Sequence, residues 1–182
     1  MTISNLSTQR AERPALRLGL GAWQTGRVYA DFVVDDSSLS VAVRKRGDLI
    51  SRLGWGSLEW QDGSIATLLL QSPPDFPWGG GRTALYVCPA CGNLQCGAVT
   101  AVIERESDEV IWRDFGYETG LDIDSPELDT KELRQLGPFR FRWPTYEAAI
   151  RSGYGLDGFN ATGTKPAGLF ARWAHSFTKL RR

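Results

Sequence analysis

The sequence predicts an α+β fold: an antiparallel sheet built around one central hairpin, with two to four helices packed on it. Three observations carry that expectation. The run from Gly97 to Glu118 is β-rich on both sides of one polar break at Ser107-Asp108, the pattern of a hairpin. "PFRFRW", Pro138 to Trp143, alternates with the period of two that a half-buried strand requires. The segments with helical character are short and stand between the β-rich runs. At 182 residues, 42% hydrophobic and 23% charged, the chain has the size and composition of one globular domain.

Residues 1 to 14 are polar and are expected to fray. "ALRLGLGAW", Ala15 to Trp23, reads as a strand, Gln24 to Arg27 as a turn, and Val28 to Val34 as a second strand, so the two are expected to pair as a hairpin. Asp36 or Ser37 can cap a short helix that Gly47 stops. Leu53 to Trp60 holds two Gly and two Trp and reads as an ordered loop or short strand. A helix of about two to three turns is expected from near Asp62 or Ser64, ended by Pro73 and Pro74. Phe76 to Arg82 is a connector, and "TALYV" is a strand that leads into a cysteine-rich loop. After the central hairpin and the Pro138–Trp143 strand, Pro144 starts a short helix. A single domain over 15–152 follows, then a Gly-rich linker over 153–168 and an amphipathic helix or tail over 169–182, with no internal repeat. The chain has seven Trp, and Trp55, Trp60, Trp78, Trp112, Trp143 and Trp173 are read as core and rim packing.

The chemistry of the chain is concentrated in "LYVCPACGNLQCGA", Leu85 to Ala98, which contains all three cysteines: Cys88, Cys91 and Cys96. "CPACG" has the spacing of a zinc knuckle, with Gly92 to supply a positive φ at the turn. Structural zinc takes four ligands, and a second C-x₂-C is missing. The fourth ligand is sought in His175, the only histidine, in Asp114 or Glu118, or in a water. Three Cys plus His would make a closed structural site, and three Cys plus water an open one. Two other readings stand beside zinc. Three small buried thiols are common in cores, and a dithiol pair could do redox chemistry. The redox reading is weakened because the loop runs into strand, where a thioredoxin-like pair would run into a helix.

"YVCPACGNLQCGAVTAVIERESDEVIWRDFGYE", followed by "GPFRFRWPTYEAAI", resembles a family of small bacterial proteins of unknown function with a CPxCGxxxCGA loop and a hairpin ending in DFGYE. The resemblance spans roughly Tyr29 to Ile150. Some members carry the label oxidoreductase, which implies no catalytic residue for this chain. His175 lies outside the resembling region, which counts against it as the fourth ligand.

Net charge is zero, which argues against a general nucleic-acid binder. Its distribution is uneven. Between Glu104 and Glu132 stand eleven acidic residues against three basic ones, a surplus of eight negative charges balanced elsewhere in the chain. Such a segment could steer a basic partner; a solvated outer face is the plainer reading. "GYGLDG", Gly153 to Gly158, follows a predicted helix and not a strand, so it fails the context test for a dinucleotide loop. No apolar run approaches the roughly 18 residues of a membrane span, and a reducing cytoplasm fits the odd cysteine count. The sequence thus points to a cytoplasmic, non-enzymatic protein-binding domain, in one version an immunity or inhibitor protein. Zinc on Cys88, Cys91 and Cys96 would staple the loop, and Asp122, Asp124 and Glu127 would meet the partner. The alternative is a small thiol- or metal-dependent oxidoreductase using Cys88 and Cys91.

Overall fold

The computed structural model describes residues 2–17, 23–77, 80–119 and 128–159. The fold is α+β, and every strand pairing in it is antiparallel. The strands are β1 (Leu6–Arg13), β2 (Leu16–Arg17), β3 (Trp23–Gln24), β4 (Arg27–Val34), β5 (Ser37–Ser38), β6 (Ile50–Ser51), β7 (Arg82–Val87), β8 (Ala98–Glu106), β9 (Glu109–Glu118), β10 (Leu128–Asp129) and β11 (Phe139–Arg142). The helices are α1 (Leu39–Val43), α2 (Leu58–Leu68) and α3 (Trp143–Ser152).

The expected central hairpin is β8–β9, turning at Ser107, whose φ is +57°. It lies inside a six-stranded sheet of order β10-β9-β8-β7-β6, with β11 also paired to β9. Pro144 opens α3 directly after β11, as the sequence predicts.

Four expectations are corrected. The first 14 residues do not fray: β1 pairs along its whole length with β4, from Leu6↔Val34 to Arg13↔Arg27. Its composition is polar because backbone pairing holds it, and only Leu6 is buried. The partner of β4 is therefore β1 and not the 15–23 segment, in which Leu16–Arg17 pairs with Trp23–Gln24. Helix α2 starts four residues before Asp62, at Leu58. Ser57 Oγ accepts the Trp60 N–H at 3.2 Å, an N-cap signal inside a stretch that reads as loop. The start of the Gly-rich linker, finally, belongs to the domain. Gly155 N–H donates to Gln61 Oε1 at 2.7 Å, Gln61 Nε2 donates to Gly158 O at 2.9 Å, and Asp157 N–H donates to Gly54 O at 2.8 Å. The tail over 169–182 lies outside the described residues.

Two apolar clusters hold these elements. The larger joins Phe32 of β4, Leu68 of α2, Tyr86 of β7, Trp112 of β9, Phe141 of β11 and Tyr146 of α3. Trp112 is its centre, meeting Phe32, Phe141 and Tyr146 edge to face with centroids 5.2, 5.3 and 6.0 Å away. The smaller cluster, Tyr29, Ile50, Trp55, Ala84, Val87 and Ala98, lies where β7 ends and β8 begins, with Trp60 and Leu94 against it. It is the floor on which the cysteine loop rests. Trp55, Trp60, Trp112 and Trp143 pack in or against the clusters or their neighbours, as expected; Trp78 and Trp173 lie outside the described residues. Among the described residues no helix is long and apolar enough to cross a membrane.

Candidate metal centre

The loop between β7 and β8 is built one turn at a time. Strand β7 ends at Val87 and delivers Cys88 to the rim of the sheet. Gly92 N–H donates to Cys88 O at 2.8 Å and closes the first turn, with Gly92 at φ +66°. Asn93 N–H points at Cys91 Sγ, 3.4 Å away. Asn93 Oδ1 then accepts the Gln95 N–H at 2.9 Å and caps a 3₁₀ turn over Leu94–Cys96. Gly97, at φ +97°, turns the chain into β8.

The result is a sulfur cluster. The Sγ atoms of Cys88, Cys91 and Cys96 all lie within 4.8 Å of one another, and Cys91 Sγ and Cys96 Sγ are 3.6 Å apart. Thiolates on a tetrahedral zinc ion, each about 2.3 Å from it, stand about 3.8 Å apart. A disulfide would need about 2.05 Å, and all three cysteines are free thiols. Cys88 and Cys91 are half-buried and Cys96 is exposed. The three thiols can hold a metal ion.

The thiols are electrostatically unequal. Burial opposes ionisation of Cys88. It is outweighed by the N–H groups of Ala90 and Cys91 and by the neighbouring Cys91 and Cys96 thiols, so Cys88 titrates below its ordinary value. Cys96 is pushed up to about 11, first by burial and then by Cys91 and Cys88 beside it. Three thiolates this close repel one another unless a cation stands between them, and a bound cation releases their protons.

Residues far away in sequence fix the loop. Arg27 Nε donates to Pro89 O at 3.0 Å, and its guanidinium lies 5.2 Å from the centre of the Trp55 ring. The Trp60 ring covers Gly92 so closely that a Cβ there would stand 3.0 Å from Cη2. Leu94 rests on the smaller apolar cluster. Nothing local in the sequence marks Arg27 or Trp60 as supports of the loop. Asn93 is different, because an Asn two residues before a backbone N–H is a readable turn signal.

The expected fourth ligands fare differently. Among the described residues the cluster consists of the three cysteines alone. Glu118 is engaged elsewhere: it is buried against Arg82, with Oε1 2.9 Å from Nε. Asp114 is paired with Arg113. His175 lies outside the described residues, as do Asp122, Asp124 and Glu127, the expected partner contacts.

Part of the acidic surplus is met by arginines within the fold, of which Arg46, Arg82 and Arg140 come from outside the 104–132 segment. Glu104 meets Arg113 at 2.7 Å, Glu106 and Glu109 meet Arg140 at 3.3 and 2.9 Å, and Asp129 and Glu132 meet Arg46 at 2.7 and 3.5 Å. With Asp114 and Glu118, seven of the eleven acids are paired with arginine. A groove of about 500 Å³ runs over this charged outer face, floored by Ile111, Phe115, Leu136 and Pro138, and no cysteine lines it. In comparison with known proteins, no family model, no curated protein and no solved structure matches the chain.

Proposed function

We propose that the chain is a non-enzymatic protein-binding domain whose cysteine loop is stapled by one zinc ion on Cys88, Cys91 and Cys96. The observation that carries the reading is the sulfur cluster, with its three Sγ atoms inside 4.8 Å at the mouth of a turn anchored on both sides. Soft thiolates select zinc or copper(I) over hard cations, and a loop with sulfurs near tetrahedral spacing suits zinc. In the loop the ion would replace the mutual repulsion of three thiolates with three bonds and fix the connection between β7 and β8.

The partner is a protein with a basic surface. Asp122, Asp124 and Glu127 of the acidic run would meet it. An inhibitor of the immunity type is one form such a protein takes.

Metal content by mass spectrometry tests the reading, beside a Cys88→Ser control. One zinc per chain is expected, lost in the control together with part of the thermal stability. A chain purified without metal that takes up none on titration with zinc would overturn it. Charge reversal at Asp122, Asp124 and Glu127 should abolish capture of a basic partner, and capture that survives the triple change refutes the acidic contact.

A further inference from the structure

The same three sulfurs point to a second property, which rests on the zinc reading above. Cys91 and Cys96 are the pair in contact, 3.6 Å apart, and Cys96 is the exposed member of the cluster. Cys88 is the fixed one. It stands at the end of β7, and its carbonyl takes the Gly92 N–H. The chain from Cys91 to Cys96 passes through Gly92, at φ +66°, and a single turn of 3₁₀ helix over Leu94–Cys96. Closing the pair to bonding distance needs an approach of only about 1.5 Å between the sulfurs.

We infer that the centre is an oxidant-gated metal site, in which a peroxide joins Cys91 to Cys96 as a disulfide and the ion is released. The chemistry balances on the sulfurs and the peroxide alone. The Cys96 thiolate attacks one oxygen of hydrogen peroxide, the O–O bond breaks, hydroxide leaves, and a sulfenic acid remains on Cys96. The Cys91 thiolate then attacks that sulfur, the S–S bond forms, and a second hydroxide leaves. The two sulfurs lose two electrons and the peroxide gains them, while zinc keeps its oxidation state. Two of the three ligands are then neutral disulfide sulfurs, and Cys88 alone cannot retain the ion.

With zinc bound all three sulfurs are thiolates, so the order of attack follows from exposure. Cys96 meets the solvent, so a peroxide reaches it first, and Cys91 lies against it to resolve the sulfenic acid before further oxidation. Cys88 is left as a thiol, and the change stops at a disulfide, which a reductant such as dithiothreitol reverses.

The test uses the full-length chain loaded with zinc and treated with hydrogen peroxide. A chromogenic chelator reads the free ion, and peptide mapping by mass spectrometry reads the link. The expected result is release of the ion in step with a Cys91–Cys96 link, with Cys88 still alkylatable, and recovery of binding after dithiothreitol. Cys88→Ser should form the same link without holding the metal. A zinc-loaded chain that keeps its ion under peroxide, or that links Cys88 to Cys91, overturns this inference and leaves the zinc reading standing. A chain that binds no zinc overturns both.

Discussion

Gly97→Ala is the most informative single change at the site. Gly97 has φ +97° and ψ 144°, a backbone region that residues with a Cβ occupy at a cost of about 1–3 kcal/mol. A methyl group there would also overlap Tyr117 Oη and stand 2.7 Å from Cζ. Tyr117 is half-buried and its ring lies 5.8 Å from the Arg46 guanidinium. It must swing away from that cation, or the chain at Cys96 must draw back. Forcing a methyl into occupied space costs about 1–3 kcal/mol. The two terms add to about 2–6 kcal/mol, which for a chain of this size lowers Tm by roughly 5 to 20 °C. Urea denaturation of wild type, Gly97→Ala, Tyr117→Ala and the double variant separates them. The backbone term persists without the Tyr117 ring and the steric term vanishes, so the cycle should return a coupling of about 1–3 kcal/mol. Because Cys96 precedes Gly97, zinc occupancy should fall in the single variant and recover in part in the double. A loss below about 1 kcal/mol, or an equal loss in both backgrounds, refutes the close approach of Gly97 and Tyr117.

Two further outcomes follow from burial. Burial raises the Glu118 carboxyl above its ordinary value of 4.5, by more than Arg82 and Thr100 lower it, so the folded chain keeps that proton to higher pH than the unfolded chain does. Its contribution to stability is full below the unfolded value and is lost as pH rises through the folded one; Glu118→Gln should flatten that part of a urea-denaturation pH profile, and an unchanged slope refutes the assignment. Trp112 is fully buried among Phe32, Phe141 and Tyr146, so Trp112→Ala should cost about 3–5 kcal/mol and erase most of the near-ultraviolet circular dichroism. A loss under about 1.5 kcal/mol would mean the cluster closes over the gap.

The parts of the fold legible in the sequence are those whose signal is local. The β8–β9 hairpin, β11 and the Pro144 start of α3 each announce themselves by alternation, by a break or by a proline, and each stands where expected. Strand β1 was illegible because burial did not select its residues. Its eight residues pair with β4 through backbone groups, which every side chain offers alike. The start of α2 was hidden for another reason: two glycines and two tryptophans around Ser57 obscure a capping serine. At the site, the spacing of Cys88, Cys91 and Cys96 was enough to bring them together, because a C-x₂-C turn and a short return are local geometry. Arg27 and Trp60 could not be found that way, since each reaches the loop from another part of the chain.

The partners of the arginines show how the sequence's charge pattern should be weighed. A run of acids reads as a surface for a basic partner only while its own counter-ions are unknown. Arg46, Arg82, Arg113 and Arg140 come from four separate segments and take seven of those acids. Apart from the buried Arg82–Glu118 pair, pairs of this kind contribute about 0–1 kcal/mol each, and their main effect is to weaken the field that would steer a partner. The cysteine loop is the opposite case. Arg27, Trp60 and Leu94 hold its backbone and not its sulfurs, whose neighbours are one another and the N–H groups of their own turns. Side chains from several segments thus converge to position three thiols that a thiophilic cation would complete, and function is to be sought there before the charged face of the sheet.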